Sequence, residues 1–502
     1  MAGAMAMASM IFCSDVAARD LVILHTNDTH SQIDPTTDDL GGVARRMVLI
    51  DSVRQARKNV MLIDAGDVVQ GTLYFNLYGG KVEQQLMNRM GYDIRILGNH
   101  EFDNGVDSLA AVLAPATAEF LSTNYDLDGT ALAHKFKRYT VREFEGRRIG
   151  FMGINLDPDG MIFADNSVGV VYRDAVEWAN HTAWWLRNIE KCDMVIAITH
   201  IGYSMSVAPD DCILAKESHG IDVIIGAHSH TVLNPAVIVK NADGRDVLVT
   251  QTGKSGKFLG ELDIDLDNLT ASEHLIPVDS RLDSRIDPRF SEELAQYAQG
   301  VDSLMTKVKV GRTASALDAK SAALLNWCTD YVLYRGSQIA SDVDFAILNK
   351  GGIRNGLPKD TITEGQIICM LPFTNRVQVI DVKGSDLLEA FRIMAIADGN
   401  GVSAGVDITY HEGTAENKKK DAYVVSALLN GKPFDPDKTY RVATINYVAE
   451  GNDDMKSLRN HTLVAESPNI LFNDILDYLR YGAGKNKTIK PSNTVRMHTD
   501  KK

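Results

Sequence analysis

Thiols are scarce in this chain. Five cysteines occur in 502 residues, at positions 13, 192, 212, 328 and 369. Their number is odd, they are widely scattered and none has zinc-site spacing, so neither a disulfide framework nor a thiolate metal centre is expected. They read as small buried hydrophobes, with a Cys192–Cys212 bond the one pairing left open. Positive charge is also in deficit: 52 Lys and Arg against 66 Asp and Glu give a net charge of −14. That balance argues against general binding to nucleic-acid polymers through their phosphates. A small anionic substrate would have to be drawn in by local positive charge, such as metal ions, against the overall field. Nowhere does an apolar run reach the ~20 residues of a membrane-spanning helix, so none is expected. The opening stretch, AMAMASMIFCS followed by Val16-Ala17-Ala18, carries no Lys or Arg before Arg19. It reads as an atypical signal remnant or leader over residues 1–19.

What remains is an ordinary globular composition, 45% hydrophobic and 24% charged, long enough for two or three domains. Val/Ile/Leu-rich segments at 21–27, 60–64, 93–97, 148–154, 193–199 and 222–226 read as mostly buried strands. Helical patterns at 42–58, 82–90, 105–113 and 174–190 fall between them, which implies a layered α/β domain over 20–280. Residues 247–267 read as hairpin-like strands. A charged loop and helix at 281–309 read as a linker or hinge. Residues 310–497 read as a second mixed α/β domain, with helices near 320–335 and 385–397 and strands near 344–348, 377–382 and 440–445. Lys418-Lys419-Lys420 reads as a solvated turn.

Five strand-like segments end in potential metal ligands: LVILHTNDTH (21–30), VMLIDAGD (60–67), IRILGNHEFD (94–103), MVIAITH (194–200) and VIIGAHSH (223–230). In a parallel α/β sheet the strand C-termini open onto one edge, so these residues are expected to converge. Asp28 and His30 are two apart and would project to the same side of a strand end, as would His228 and His230. Asp67 follows Gly66 in a place suited to a carboxylate that bridges two cations. Asn99 and His100 follow Gly98, and His200 ends a further strand. A lone histidine would be unremarkable; the joint pattern of oxygen and imidazole donors suits hard or borderline divalent ions. Asp103, three residues after His100, could orient that imidazole or cap the helix beginning near 105.

The motifs DTH (28–30), GD (66–67), GNHEFD (98–103), TH (199–200) and GAHSH (226–230) resemble those of calcineurin-like metallophosphoesterases. The stretch QTGKSGKFLG (251–260) and the segments NKGGIR (349–354), LPFTN (371–375) and NYVAEGNDD (446–454) are similar to the 5'-nucleotidase/UDP-sugar hydrolase branch of that family. The resemblance implies two divalent ions, with Zn, Mn, Mg and Co all compatible with such ligands. Asp28, His30, Asp67 and His230 would hold the first; Asp67, Asn99, His200 and His228 the second. His100 and Asp103 would be catalytic, and Arg354, Tyr447 and Asp453 would bind substrate. Members of the branch clamp a nucleobase between two aromatic rings. Tyr447 fits one, whereas the other, expected near 399–400, meets only Asp398-Gly399-Asn400-Gly401. The implied activity is release of phosphate from nucleoside 5'-monophosphates by a periplasmic, cell-surface or secreted enzyme. The alternatives are a 2',3'-cyclic phosphodiesterase/3'-nucleotidase or UDP-sugar hydrolase and, from another class, a non-catalytic nucleotide-binding surface protein.

Overall fold

The computed structural model describes residues 20–205, 209–413 and 421–500. The expected leader, Cys13 and Lys418-Lys419-Lys420 lie outside the described residues. Alternation along the first strand, Asp20–Thr26, sets the layering. Leu21 and Ile23 face one side, where they pack with Met61, Ile63 and Ile94 against Ile149, Phe151, Ile196, Ile198 and Ile225. Val22 and Leu24 face the other side and pack with Leu62 against Val43, Ile50, Val82 and Leu86. The period of two in side-chain direction thus produces two sheets pressed face to face, each with helices on its outer surface.

The first sheet runs, in spatial order, Thr270–Pro277, Phe258–Asp265, Asp20–Thr26, Val60–Asp64, Ile94–Arg95, Glu119–Leu121 and Phe136–Lys137. The second runs Val237–Lys240, Asp246–Thr250, Val223–Ile225, Met194–His200, Arg147–Asn155 and Tyr139–Phe144. Helices Val43–Ala56 and Lys81–Met90 cover the first sheet, and Ala175–Asn188 and Asp211–Glu217 cover the second. Strands Asp20–Thr26, Val60–Asp64 and Ile94–Arg95 are mutually parallel, as are Arg147–Asn155, Met194–His200 and Val223–Ile225. One expectation needs correction, and one open question is answered. Residues 247–267 are not a hairpin: Asp246–Thr250 and Phe258–Asp265 belong to different sheets, and the 251–257 segment crosses between them. Each pairs instead with its other neighbour, Val237–Lys240 or Thr270–Pro277. Cys192 and Cys212 form no disulfide; both are free thiols.

Helix Pro288–Asp302 continues into a wider turn at Ser303–Lys307 and joins the two halves. Its start, through Phe290 and Leu294, packs on the first half, whereas Leu304 and Met305 pack on the second. The second half is built on a sheet ordered Gly401–Val402, Phe345–Leu348, Thr439–Ile445, Arg376–Lys383 and Thr462–Ile470, flanked by helices Ala322–Ile339 and Gly384–Ile396. Phe345, Phe391, Phe434 and Tyr440 interlock at its centre, with Phe391 5.2 Å from Phe434 and Phe345 5.3 Å from it between ring centroids. Phe391→Ala should cost about 3–5 kcal/mol through lost burial and an unfilled cavity. Denaturant unfolding should register that loss while the metal stoichiometry of the folded protein stays at the parental value.

Candidate functional site

The strand ends converge on one short segment, Ala65–Val69, that follows strand Val60–Asp64. Its carbonyls accept the N–H of Asp28 on Gly66 (2.9 Å), of His30 on Asp67 (3.0 Å) and of Ser31 on Val68 (2.8 Å). The Ala65 carbonyl lies 2.8 Å from His200 Nδ1, which fixes that ring and turns Nε2 inward. The His100 N–H donates to Asp67 Oδ1 at 2.9 Å. His228 N–H and Asn27 Nδ2 both donate to Asp28 Oδ2, leaving Oδ1 unpartnered. Asp28, His30, Asp67, His228 and His230 all have positive φ, between 49° and 74°. Non-glycine residues rarely adopt this conformation, and such strain clusters at functional sites. The bonds made by the Asp28, His30 and His228 N–H groups help hold those three residues in it.

Two donor sets result: Asp28 with His30 and His230, and Asp67 with His200 and His228, the ligand atoms in each lying within 4.8 Å of one another. Asp67 Oδ2 is 3.2 Å from His200 Nε2 and 3.9 Å from His30 Nε2, so one oxygen faces both sets. Asn99 Oδ1 is 3.0 Å from His228 Nδ1. His30 and His230 bring their Nε2 atoms to 2.8 Å. His200 Nε2 and Asp28 Oδ1 are buried with no hydrogen-bond partner. Asp28 and His200 are fully buried and Asp67 nearly so. Burial opposes a charged His200, yet the Asp67 carboxylate outweighs it and holds that pKa up to about 10. His228 is pushed down to about 4 by burial and by His200. Crowded donors of this chemistry, two of them orphaned, fit a pair of divalent cations, whose ligand shells call for such spacings.

Asp67, Asn99, His228 and His230 line one end of a cavity of 460 Å³ whose remaining wall comes from both halves. His100 lies on its floor, with Nδ1 3.0 Å from Asp103 Oδ2. Burial disfavours the imidazolium, but Asp103 and Asp67 outweigh that and raise the His100 pKa. Asp103 does not cap the next helix. It ends the turn His100–Phe102, and Gly105 stands at the N-cap of Val106–Leu113. Opposite, Arg354 sits with its guanidinium 5.7 Å from the Phe373 ring, rather than facing solvent. Phe373 stacks on His100, centroids 5.9 Å apart at 28°. Tyr447 donates its hydroxyl to Asp453 Oδ1 at 2.9 Å, and Asn349 Nδ2 donates to Asp453 Oδ2 at 2.7 Å.

No ring lies at 399–400, but other rings line the cavity. Gly399 turns against Met497 and the Tyr410 hydroxyl, and residues 398–403 do not line the cavity. Phe373 does, within the LPFTN segment, and so does Phe163, which meets Tyr447 edge to face at 5.4 Å. Phe373, Phe163 and Asn349 were not among the expected site residues. Phe373 and Asn349 were signalled by the motifs that contain them; nothing in the sequence marks Phe163, which reaches the cavity from a loop after strand Arg147–Asn155. That loop also crosses between the halves. Asp159 pairs with Lys456 (2.8 Å) and Arg459 (2.6 Å), and the Asp453 N–H donates to the Gly160 carbonyl.

Paired sheets, converging strand ends and two adjoining donor sets, with one Asp67 oxygen facing both, define a calcineurin-like metallophosphoesterase. The family model described as "Calcineurin-like phosphoesterase" matches residues 21–232, and that described as "5'-nucleotidase, C-terminal domain" matches 304–460. The chain belongs to the 5'-nucleotidase branch of that family, in which these two parts are joined. It is similar to the 5'-nucleotidase of Homo sapiens, 29% identical over 95% of this chain and 90% of that protein. It is 30% identical to the trifunctional nucleotide phosphoesterase protein YfkN of Bacillus subtilis (strain 168) over 86% of this chain, which spans 32% of that protein's length. Among solved structures, the 5'-nucleotidase precursor of Thermus thermophilus superposes with a TM-score of 0.83 at 29% identity, covering 96% of this chain and 100% of that one. Calcineurin-like phosphoesterases use divalent metals, and the two donor sets answer to that requirement. Among the described residues no helix is long and apolar enough to cross a membrane. Because one Asp67 oxygen faces both sets, Asp67→Asn should weaken both ions together. Metal analysis of the purified variant should find neither retained through a desalting step, with the circular dichroism spectrum unchanged.

Proposed function

We propose that the chain is a metal-dependent 5'-nucleotidase: water and a nucleoside 5'-monophosphate give the nucleoside and inorganic phosphate. The observation that carries this reading is the cavity itself, which sets two donor clusters sharing Asp67 across from a guanidinium and aromatic rings. Asp28, His30, Asp67 and His230 would hold one ion, and Asp67, Asn99, His200 and His228 the other. Such a pair supplies Lewis-acid charge to the phosphoryl oxygens and lowers the pKa of the attacking water, with Zn, Mn, Mg or Co as occupants.

Each remaining role falls to a side chain of this protein. Arg354 offers a planar fork to the phosphoryl oxygens. His100, held through Nδ1 by Asp103, presents its other nitrogen to the cavity. From there it stabilises charge on the phosphoryl group, or supplies the proton that the leaving nucleoside oxygen takes up as the P–O bond breaks. Phe373 and Tyr447 give the base apolar faces, a contact of about 1–3 kcal/mol per stacked base. Asn349 and Asp453 supply polar edges beside Tyr447. The linker at 281–309 acts as the hinge that lets the halves part, since substrate and product must pass between them. The setting we infer is periplasmic, cell-surface or secreted, in keeping with a precursor among the solved relatives and the snake venom enzymes among the curated ones.

A substrate panel tests the reading. Phosphate release from 5'-monophosphates should require added divalent metal after chelation. It should exceed release from 3'-monophosphates, 2',3'-cyclic monophosphates and UDP-sugars; a panel that favours any of those three overturns it. His100→Ala should retain both ions and lower kcat by roughly 10²-fold or more. Loss of an ion from that variant would make His100 a ligand instead. Phe373→Ala and Tyr447→Ala should each raise KM for nucleotides by about tenfold, on the scale of one lost base–ring contact, and leave KM for a small aliphatic phosphate nearly unchanged. Equal effects on both substrates would assign these rings to packing.

A further inference from the structure

The segment Ala65–Val69 fixes the metal-ligand loops through its carbonyls, but its own buried N–H groups must also find partners. Ala65 N–H donates to the Thr26 carbonyl and Gly66 N–H to Asp64 Oδ1, both within the sheet edge. The next two N–H groups end on a single side chain. Asp67 N–H donates to Glu101 Oε2 at 3.0 Å and Val68 N–H to Glu101 Oε1 at 2.8 Å. A third bond comes from the other ligand loop: Gly98 N–H, next to Asn99, donates to Glu101 Oε2 at 2.5 Å. Glu101 is buried, at 6% exposure, and among the described residues it forms no ion pair within 4.0 Å. Its carboxylate is therefore given over to backbone N–H groups of the two loops that carry Asp67 and Asn99.

We propose that Glu101 is the positioning residue of the dimetal centre, the acceptor that holds the Asp67 and Asn99 loops in the one arrangement that binds both ions. This rests on the metal-ligand assignment given above. Three N–H donors from two directions need an acceptor-only group with two oxygens, and ionised Asp or Glu alone among side chains provides one. A glutamine can satisfy the donors on one oxygen only and turns an NH2 toward the third. An aspartate keeps the charge but falls one methylene short. Through Asp67 the effect reaches further, because that segment's carbonyls also hold Asp28, His30 and His200. Glycines at 66 and 98 make the approach of the two loops possible: a Cβ on Gly66 would lie 2.5 Å from the Gly98 nitrogen, and one on Gly98 would strike the Asp67 carboxylate. Groups that orient ligands without touching the metal typically change affinity 10–100-fold when removed.

The test is metal binding by the full chain, stripped with chelator and titrated with Zn²⁺ and with Co²⁺. Glu101→Gln should bind both ions about 10–100-fold more weakly than the parent, on that scale. The site of Asn99, His200 and His228 should lose more, since both of its loops are anchored here. The visible absorption of the Co²⁺ form should change in band position or intensity, and Glu101→Asp should fall between Gln and parent. Parental affinity and an unaltered Co²⁺ spectrum in the folded Gln variant would overturn the proposal. So would failure of both variants to fold with or without metal, which would assign Glu101 to the fold as a whole. The readout is independent of the proposed substrate: a parent that binds two ions yet releases no phosphate from nucleotides sinks the nucleotidase reading and leaves this one standing.

Discussion

The structure depends on bringing two carboxylates and four imidazoles together where water is largely excluded. Unpaired charge in such a place is costly, and among the described residues these groups meet no Lys or Arg within ion-pair distance. Nor can they relax apart. Each ligand sits at the end of a strand or in a loop tied to Ala65–Val69, and five of them are held at positive φ, a conformation that disfavours side-chain-bearing residues by about 1–2 kcal/mol each. A backbone strained in this way persists only where its surroundings over-determine it. Here the bonds to the Ala65–Val69 carbonyls do so from one side and Glu101 does so from another. In the proposed centre such a cage would be set before any cation enters, and a cation would gain from a geometry it need not organise.

Much of this was legible in the chain because it rests on local patterns. Buried parallel strands announce themselves as Val/Ile/Leu runs, and five such runs ending in Asp, Asn or His leave little doubt where the site lies. Spacing put Asp28 beside His30 and His228 beside His230; the structure keeps Asp28 and His30 in one donor set and divides His228 and His230 between the two. The hairpin at 247–267 was misread for a related reason: two apolar strands separated by a Gly-rich segment look alike whether they pair or diverge into facing sheets. Only the burial of Val247 and Val249 under one layer of helices, and of Leu259 under another, separates the two cases.

Features that depend on three-dimensional return of the chain were not legible. Phe163 reaches the cavity because its loop is carried across to the second half by Asp159, a contact between residues about 300 positions apart. Glu101 stood in plain view inside GNHEFD, beside His100, but nothing in that motif's spacing marks its role. Its bonds to the backbone of residues 67, 68 and 98 are invisible without coordinates. The resemblance pointed to a ring near 399–400, yet residues 398–403 do not line the cavity, whereas Phe373, from a different loop, does.

The contacts between the halves differ at the two ends of the cavity, and the difference bears on turnover. On the linker side they are mostly apolar: Leu73 belongs to the core of the second half, packed against Gly365 and near Met305, with one hydrogen bond beside it from Asn76 to the Pro372 carbonyl at 2.9 Å. Parting that side would expose buried hydrocarbon at roughly 25 cal/mol per Å². On the far side the bridge is Asp159 with Lys456 and Arg459, all three side chains 39–50% exposed. Exposed ion pairs contribute about 0–1 kcal/mol each, because water replaces them almost as well. In the proposed cycle the far side is thus the one that parts, with the apolar side and its linker as the axis. Arg354 and Phe373 would then swing away from His100 together, opening the phosphate site and the base site in one motion. Tyr447 would leave Phe163 in the same step. A chain arranged this way would keep its ligand cage in one half and concentrate the proposed movement in the weakest contact between the two.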